Sequence, residues 1–82
     1  MKVTVQLLGR LKMKLPDATK GLIELELPAG STTHAVLERL HLPLDGSYYI
    51  TRNGERIAPD GYGSEPLRAG DRLNITPPLA GG

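Results

Sequence analysis

The sequence predicts an α+β domain: a mixed sheet of four to five strands with one helix packed across one face. Three observations carry this. Two early runs, Lys2-Val3-Thr4-Val5-Gln6-Leu7 and Ile23-Glu24-Leu25-Glu26-Leu27, alternate apolar and polar residues. A single helical stripe follows at Val36, Leu37 and Leu40. An Asn53-Gly54 pair then separates two further strand-like runs.

The first run puts Val3, Val5 and Leu7 on one face of a half-buried strand. Gly9 to Lys20 reads as a connection, in which Arg10, Lys12, Lys14 and Lys20 form a basic, solvated cluster with no aromatic platform for RNA. The second strand buries Ile23, Leu25 and Leu27. Its Glu24 and Glu26 are expected on the outer face, opposite Lys2 and Thr4 of an antiparallel neighbour. Pro28-Ala29-Gly30 ends it, and Ser31 or Thr32 is placed to cap a helix running from about Thr32 to His41. Leu42-Pro43 stops the helix, because the residue before proline is pushed out of helical geometry. His41, near its C-terminus, is expected to interact favourably with the helix dipole when protonated.

Tyr48 to Arg52 and Glu55 to Ala58 flank Asn53-Gly54 as a hairpin, since both turn residues tolerate positive φ. Pro59 to Gly70 is punctuated by Gly61, Gly63, Pro66 and Gly70 and reads as a loop. Asp71 to Thr76 is the last strand, with Leu73 and Ile75 facing in. Val3, Val5, Leu7, Ile23, Leu25, Leu27, Val36, Leu37, Leu40, Ile50, Leu73 and Ile75 form the expected core. Arg52 shares parity with Ile50 and so points inward. That conflict is resolved if its stem packs at the sheet margin and its guanidinium reaches water.

Composition narrows the function. The 82-residue chain is one domain, expected over residues 1–76, followed by an extended tail over 77–82. Ten basic against nine acidic residues give a net charge of +1, too balanced to argue for nucleic acid or an anionic membrane. Cysteine is absent, which excludes a disulfide scaffold, a thiolate metal site and a cysteine-based sulfurtransferase mechanism. His34 and His41 lack a third partner for a metal site and belong to no recognisable triad, so they read as helix-surface residues. Met1 leads directly into a strand, so neither a signal peptide nor a membrane span is expected, and the expected location is cytoplasmic.

The tail, Pro77-Pro78-Leu79-Ala80-Gly81-Gly82, is the most informative stretch. Two glycines without Cβ atoms thread a narrow channel and adopt whatever φ and ψ it demands. Proline fixes φ near −65° and holds the base of the tail extended. Six residues of this kind reach roughly 20 Å. A stiff stem with a flexible tip suits delivery of a chain end into another protein's active site.

With this order of elements and this tail, the chain resembles the MoaD/ThiS family of ubiquitin-like β-grasp sulfur carriers. Leu27-Pro28-Ala29-Gly30-Ser31, Asn53-Gly54, Pro66 to Asp71 and above all Pro77 to Gly82 carry the resemblance, which runs the full length. The ending looks more like MoaD than ThiS, although Thr76 stands where MoaD-type tails carry an aromatic or large apolar residue. The resemblance implies that a ubiquitin-activating-type adenylating enzyme uses ATP to adenylate Gly82. A sulfur donor then converts the adenylate to a thiocarboxylate. A larger synthase subunit would receive the tail and use the sulfur to build molybdopterin. On this reading Gly82 is the attachment site. Gly81 passes the channel, and Ala80, Leu79 and Pro78 contact the partner. The protein binds no cofactor or metal itself and is not an enzyme acting alone. A thiamine-type carrier, a covalent ubiquitin-like modifier and a non-covalent β-grasp binding module are the alternatives.

Overall fold

Val3, Val5 and Leu7 are completely buried, and the strand that carries them organises the sheet. In the computed structural model, which describes residues 1–44 and 48–77, the strands are β1 (Lys2–Leu7), β2 (Leu22–Glu26), β3 (Tyr49–Arg52), β4 (Glu55–Arg56) and β5 (Arg72–Thr76). The helix α1 spans Thr33–Arg39, and short 3₁₀ turns cover Gly9–Lys14, Asp17–Thr19 and Pro59–Gly61. The order β-β-α-β-β-β is the one the sequence predicts. The strands lie β2-β1-β5-β3-β4, with β1 and β5 parallel and the other pairs antiparallel. Among the described residues no helix is long and apolar enough to cross a membrane.

The expected outward pairs form, Lys2 opposite Glu26 and Thr4 opposite Glu24. Glu26 makes its ion pair with the terminal amine of Met1, at 3.0 Å. Eleven of the twelve expected core residues are buried. Ile23 is only half-buried, because β2 is an edge strand with a neighbour on one side alone. Leu42, Ile57, Tyr62 and Leu67 complete the core from loops and strand ends. Each large apolar side chain removed from water stabilises the fold by roughly 1.5–3 kcal/mol.

The ends of α1 differ from expectation in two ways. Thr32 is the N-cap residue but makes no side-chain capping bond, and the Ser31 hydroxyl donates to the Pro28 carbonyl instead. The free first-turn amide of His34 donates to the Tyr62 carbonyl at 2.8 Å, so a distant loop satisfies it. At the other end Leu40 is the C-cap and His41 lies outside the helix at φ 58°. The His41 amide donates to the Glu38 carbonyl and the Leu42 amide to the Leu37 carbonyl, the paired bonds of a Schellman motif. Histidine therefore occupies a left-handed position that glycine fills at lower cost. His41→Gly is expected to stabilise the protein by about 0.5–1 kcal/mol, read as a raised urea midpoint with an unchanged slope.

Asn53 and Gly54 both have positive φ, 52° and 89°, as a two-residue type I′ hairpin requires. The turn is tied to the start of β5 by one carboxylate. Asp71, only 6% exposed, accepts from Asn53 Nδ2 at 3.0 Å through Oδ1. Its Oδ2 accepts from the Arg68 amide at 2.8 Å and from Arg52 Nε at 2.9 Å. The inward-pointing Arg52 is thus held by an ion pair as well as by packing. Burial of Asp71 pushes its pKa up, but the Arg68 amide, the Asn53 side chain and the Arg52 charge together outweigh that. The carboxyl stays below its ordinary value.

Candidate functional site

The parallel pairing of β1 with β5 fixes where the chain leaves the domain. Both strands end on the same side of the sheet, and the antiparallel β2 and β3 begin there. The Leu8 amide donates to the Ile75 carbonyl at 3.0 Å, holding the final strand to its last turn of ladder. The Pro77 ring then lies over Gly9. A Cβ at Gly9 would stand 3.1 Å from Pro77 Cγ, and Gly9 has φ 56°. Glycine is needed there for both its backbone geometry and the close approach. Across the strand from Thr76 stands Tyr49, 51% exposed, with the Arg56 guanidinium 5.2 Å from its ring centroid. Pro77 therefore leaves β5 between Gly9 and Tyr49.

The expected site residues Pro78, Leu79, Ala80, Gly81 and Gly82 lie outside the described residues. What the structure adds is the root from which they depart, and sequence reasoning missed its Gly9–Pro77 contact. The two residues that mark it, Gly9 and Pro77, are 68 positions apart in the chain and carry no mutual signal. Of the two tyrosines at the start of the hairpin, Tyr48 packs partly against the core and Tyr49 is exposed. Tyr62, read only as part of a loop, is buried, and its hydroxyl donates to the Tyr48 carbonyl at 3.2 Å. Burial raises the Tyr62 phenol above its ordinary value against the opposing charge of Arg56.

The two histidines occupy different surroundings. His34 is half-buried in the first turn of α1, edge-on to the Tyr62 ring at 6.4 Å. His41 lies beyond the helix, so the two do not share a helical face. Among the described residues no three histidine, aspartate or glutamate side chains group as metal ligands. A shallow concavity of about 540 Å³ beside Leu27, His34 and Arg39 is open to solvent. The described residues thus place the root of the tail, Pro77, against Gly9 at one side of the sheet.

Residues 5–82 match the ThiS family. The chain belongs to that family. The ubiquitin-like β-grasp fold expected from the sequence is the fold observed. This ThiS-family chain is similar to the crystal structure of small archaeal modifier protein 1 from Haloferax volcanii. The TM-score is 0.71 at 22% identity, over 95% of this chain and 98% of that one. It is similar also to a putative molybdopterin converting factor subunit 1 from Pyrococcus furiosus, at TM-score 0.70 and 24% identity, over 96% and 99% of the two chains. A third likeness is to the complex of subunits 1 and 2 of the molybdopterin-converting factor from Helicobacter pylori, at TM-score 0.63 and 23% identity over the whole of both chains. At these identities the likeness is one of fold. No curated protein matches the chain by sequence.

Proposed function

We propose that this protein is a sulfur carrier whose reactive group is the carboxylate of Gly82. The observation that supports this best is the ThiS-family match, which runs through Gly82. The tail root adds to it, because Pro77 leaves the end of β5 between Gly9 and Tyr49 at the end of the domain's ladder. An ATP-using, ubiquitin-activating-type enzyme adenylates the carboxylate and releases pyrophosphate. A sulfur donor then displaces AMP and leaves a thiocarboxylate. Gly81 passes the partner's channel, while Pro78, Leu79 and Ala80 make its apolar contacts. In the cytoplasm the sulfur goes to cofactor biosynthesis, foremost molybdopterin, with this chain as the small subunit of a synthase. The Helicobacter pylori complex, in which subunit 1 is bound to subunit 2, supports a larger synthase subunit as the second partner.

The test is the intact mass of the protein isolated from its own host, combined with thiol-specific alkylation. The chain has no cysteine, so any alkylated sulfur lies outside the ordinary side-chain thiols. Expected is the mass change of one oxygen replaced by sulfur, localised to Gly82 and alkylatable. An isopeptide bond from Gly82 to a lysine of another protein would instead make it a modifier. An unmodified terminus that also resists adenylation would leave a non-covalent β-grasp module.

A further inference from the structure

The side of the domain from which the tail departs carries a distinctive surface. The large hydrophobic residues exposed among the described residues are Met13, Leu22, Leu44 and Tyr49. Leu22 opens β2 and Tyr49 opens β3, both at the end where β1 and β5 finish. Met13 lies in the turn that follows Gly9, and it is 85% exposed. Exposed apolar residues scattered singly need no explanation, but Met13 protrudes from the loop that opens at Gly9, beside the tail root.

Charge is gathered at the same place. The connection from Gly9 to Lys20 holds Arg10, Lys12, Lys14 and Lys20 against the single acid Asp17, in a chain whose net charge is only +1. Its two 3₁₀ turns bury none of their residues, and it is anchored by the partly buried Leu11 and Leu15 packing on the core. Lys12, Met13 and Lys20 line one open concavity of about 340 Å³ with Pro16, Asp17 and Gly21. A fixed loop that offers a protruding methionine among lysines, next to Gly9 and therefore next to Pro77, is shaped to meet a surface.

We propose that the Gly9–Lys20 connection is a docking element, and that it fits an activating enzyme whose tail channel has an acidic mouth with an apolar seat for Met13. This rests on the carrier reading above. The unbranched thioether adapts to a shallow apolar seat, while the lysines steer encounter and fix orientation. Because the loop acts on docking and Gly82 on chemistry, the two roles separate in kinetics.

The experiment is ATP–pyrophosphate exchange with the adenylating enzyme of the source organism, the carrier being the varied substrate. The Lys12→Glu/Lys14→Glu/Lys20→Glu variant is expected to raise KM about tenfold or more at low salt, with kcat near that of the unaltered chain. Raising ionic strength should raise KM for the unaltered chain and leave that of the variant nearly flat. The Lys12→Arg/Lys14→Arg/Lys20→Arg variant keeps KM low, and Met13→Ser raises it several-fold independently of salt. Arg68→Glu, at the opposite end of the sheet, serves as the charge control. All substituted side chains are exposed, and thermal melts check that each variant is folded. Unchanged KM in the triple reversal, or an equal rise in Arg68→Glu, overturns the docking role alone. An unaltered chain that is not adenylated at all overturns the carrier reading and this inference with it.

Discussion

Gly82→Val is expected to abolish adenylation, lowering its rate by at least about 100-fold, while the domain melts at the same temperature. The reason lies in where the residue acts. The core, the hairpin tie and the tail root are complete by Pro77, so substitution five residues further on should change stability by less than about 0.5 kcal/mol. On the carrier reading proposed above, the activating enzyme, in contrast, must place one carboxylate oxygen in line with the α-phosphate of ATP. A branched Cβ at that atom's own residue displaces it by an ångström or more, and misplacement of that size costs about 100-fold in rate. Gly81→Ala tests the channel itself and should reduce activation less steeply. Normal adenylation of either variant, measured by pyrophosphate exchange, would remove the tail from the mechanism.

Asp71→Ala carries the largest expected effect on stability. Three donors converge on this buried carboxylate, from Asn53, Arg68 and Arg52. Removing it strands them, and the loss of bonds to a charged acceptor with donors left unpaired costs about 2–4 kcal/mol. For a domain of this size that lowers the melting midpoint by roughly 10–25 °C. Asp71→Asn is not a benign substitute. Both oxygens accept, and an amide NH2 would face a donor whichever way it turned. Asn53 cannot turn to compensate, since its own Oδ1 accepts from the Arg72 amide at 2.9 Å. A variant melting within about 3 °C of the parent would show that the tie contributes little.

The same carboxylate sets a pH dependence of known sign. Its pKa is lower in the folded protein than in the unfolded chain. Between the two values the unfolded chain binds the proton, so stability rises with pH. The contribution is fully present above the ordinary carboxylate pKa. It is lost as pH falls through the folded-state value. Urea midpoints taken from about pH 5 down to pH 2 should fall more steeply for the parent than for Asp71→Asn.

Much of the sheet was legible because alternation is a local signal. Val3-Val5-Leu7 and Leu73-Ile75 declare their buried face within one strand, and Asn53-Gly54 declares its turn. Ile23 has the same signal and a different outcome, since exposure at a sheet edge depends on strand order, which alternation does not encode. The cap of α1 was misread for a related reason. Its acceptor is the carbonyl of Tyr62, 28 residues after His34, and no side-chain chemistry near the helix announces it. The parity conflict at Arg52 was visible, but its solution, Asp71, needs the pairing of β3 with β5. At the functional site the tail itself was read from residue types and resemblance. Its root was not, because Gly9 and Pro77 meet only once β1 and β5 lie side by side.

The central place of β5 also governs the order in which the molecule is made. A nascent chain that has reached Arg56 holds both hairpins and the helix, yet β1 and β3 each present an open edge with nothing between them. Only residues 72–76 fill that gap, pairing with partners as far back as Thr4. Closure of so long a loop is among the slower steps a small domain undertakes, and the waiting edges invite pairing with other chains. Synthesis that halts inside β5 therefore leaves the sheet unclosed, whereas a chain with the complete sheet has been translated at least through Thr76. The architecture thereby couples folding to the translation of its last strand, which both waiting edges require.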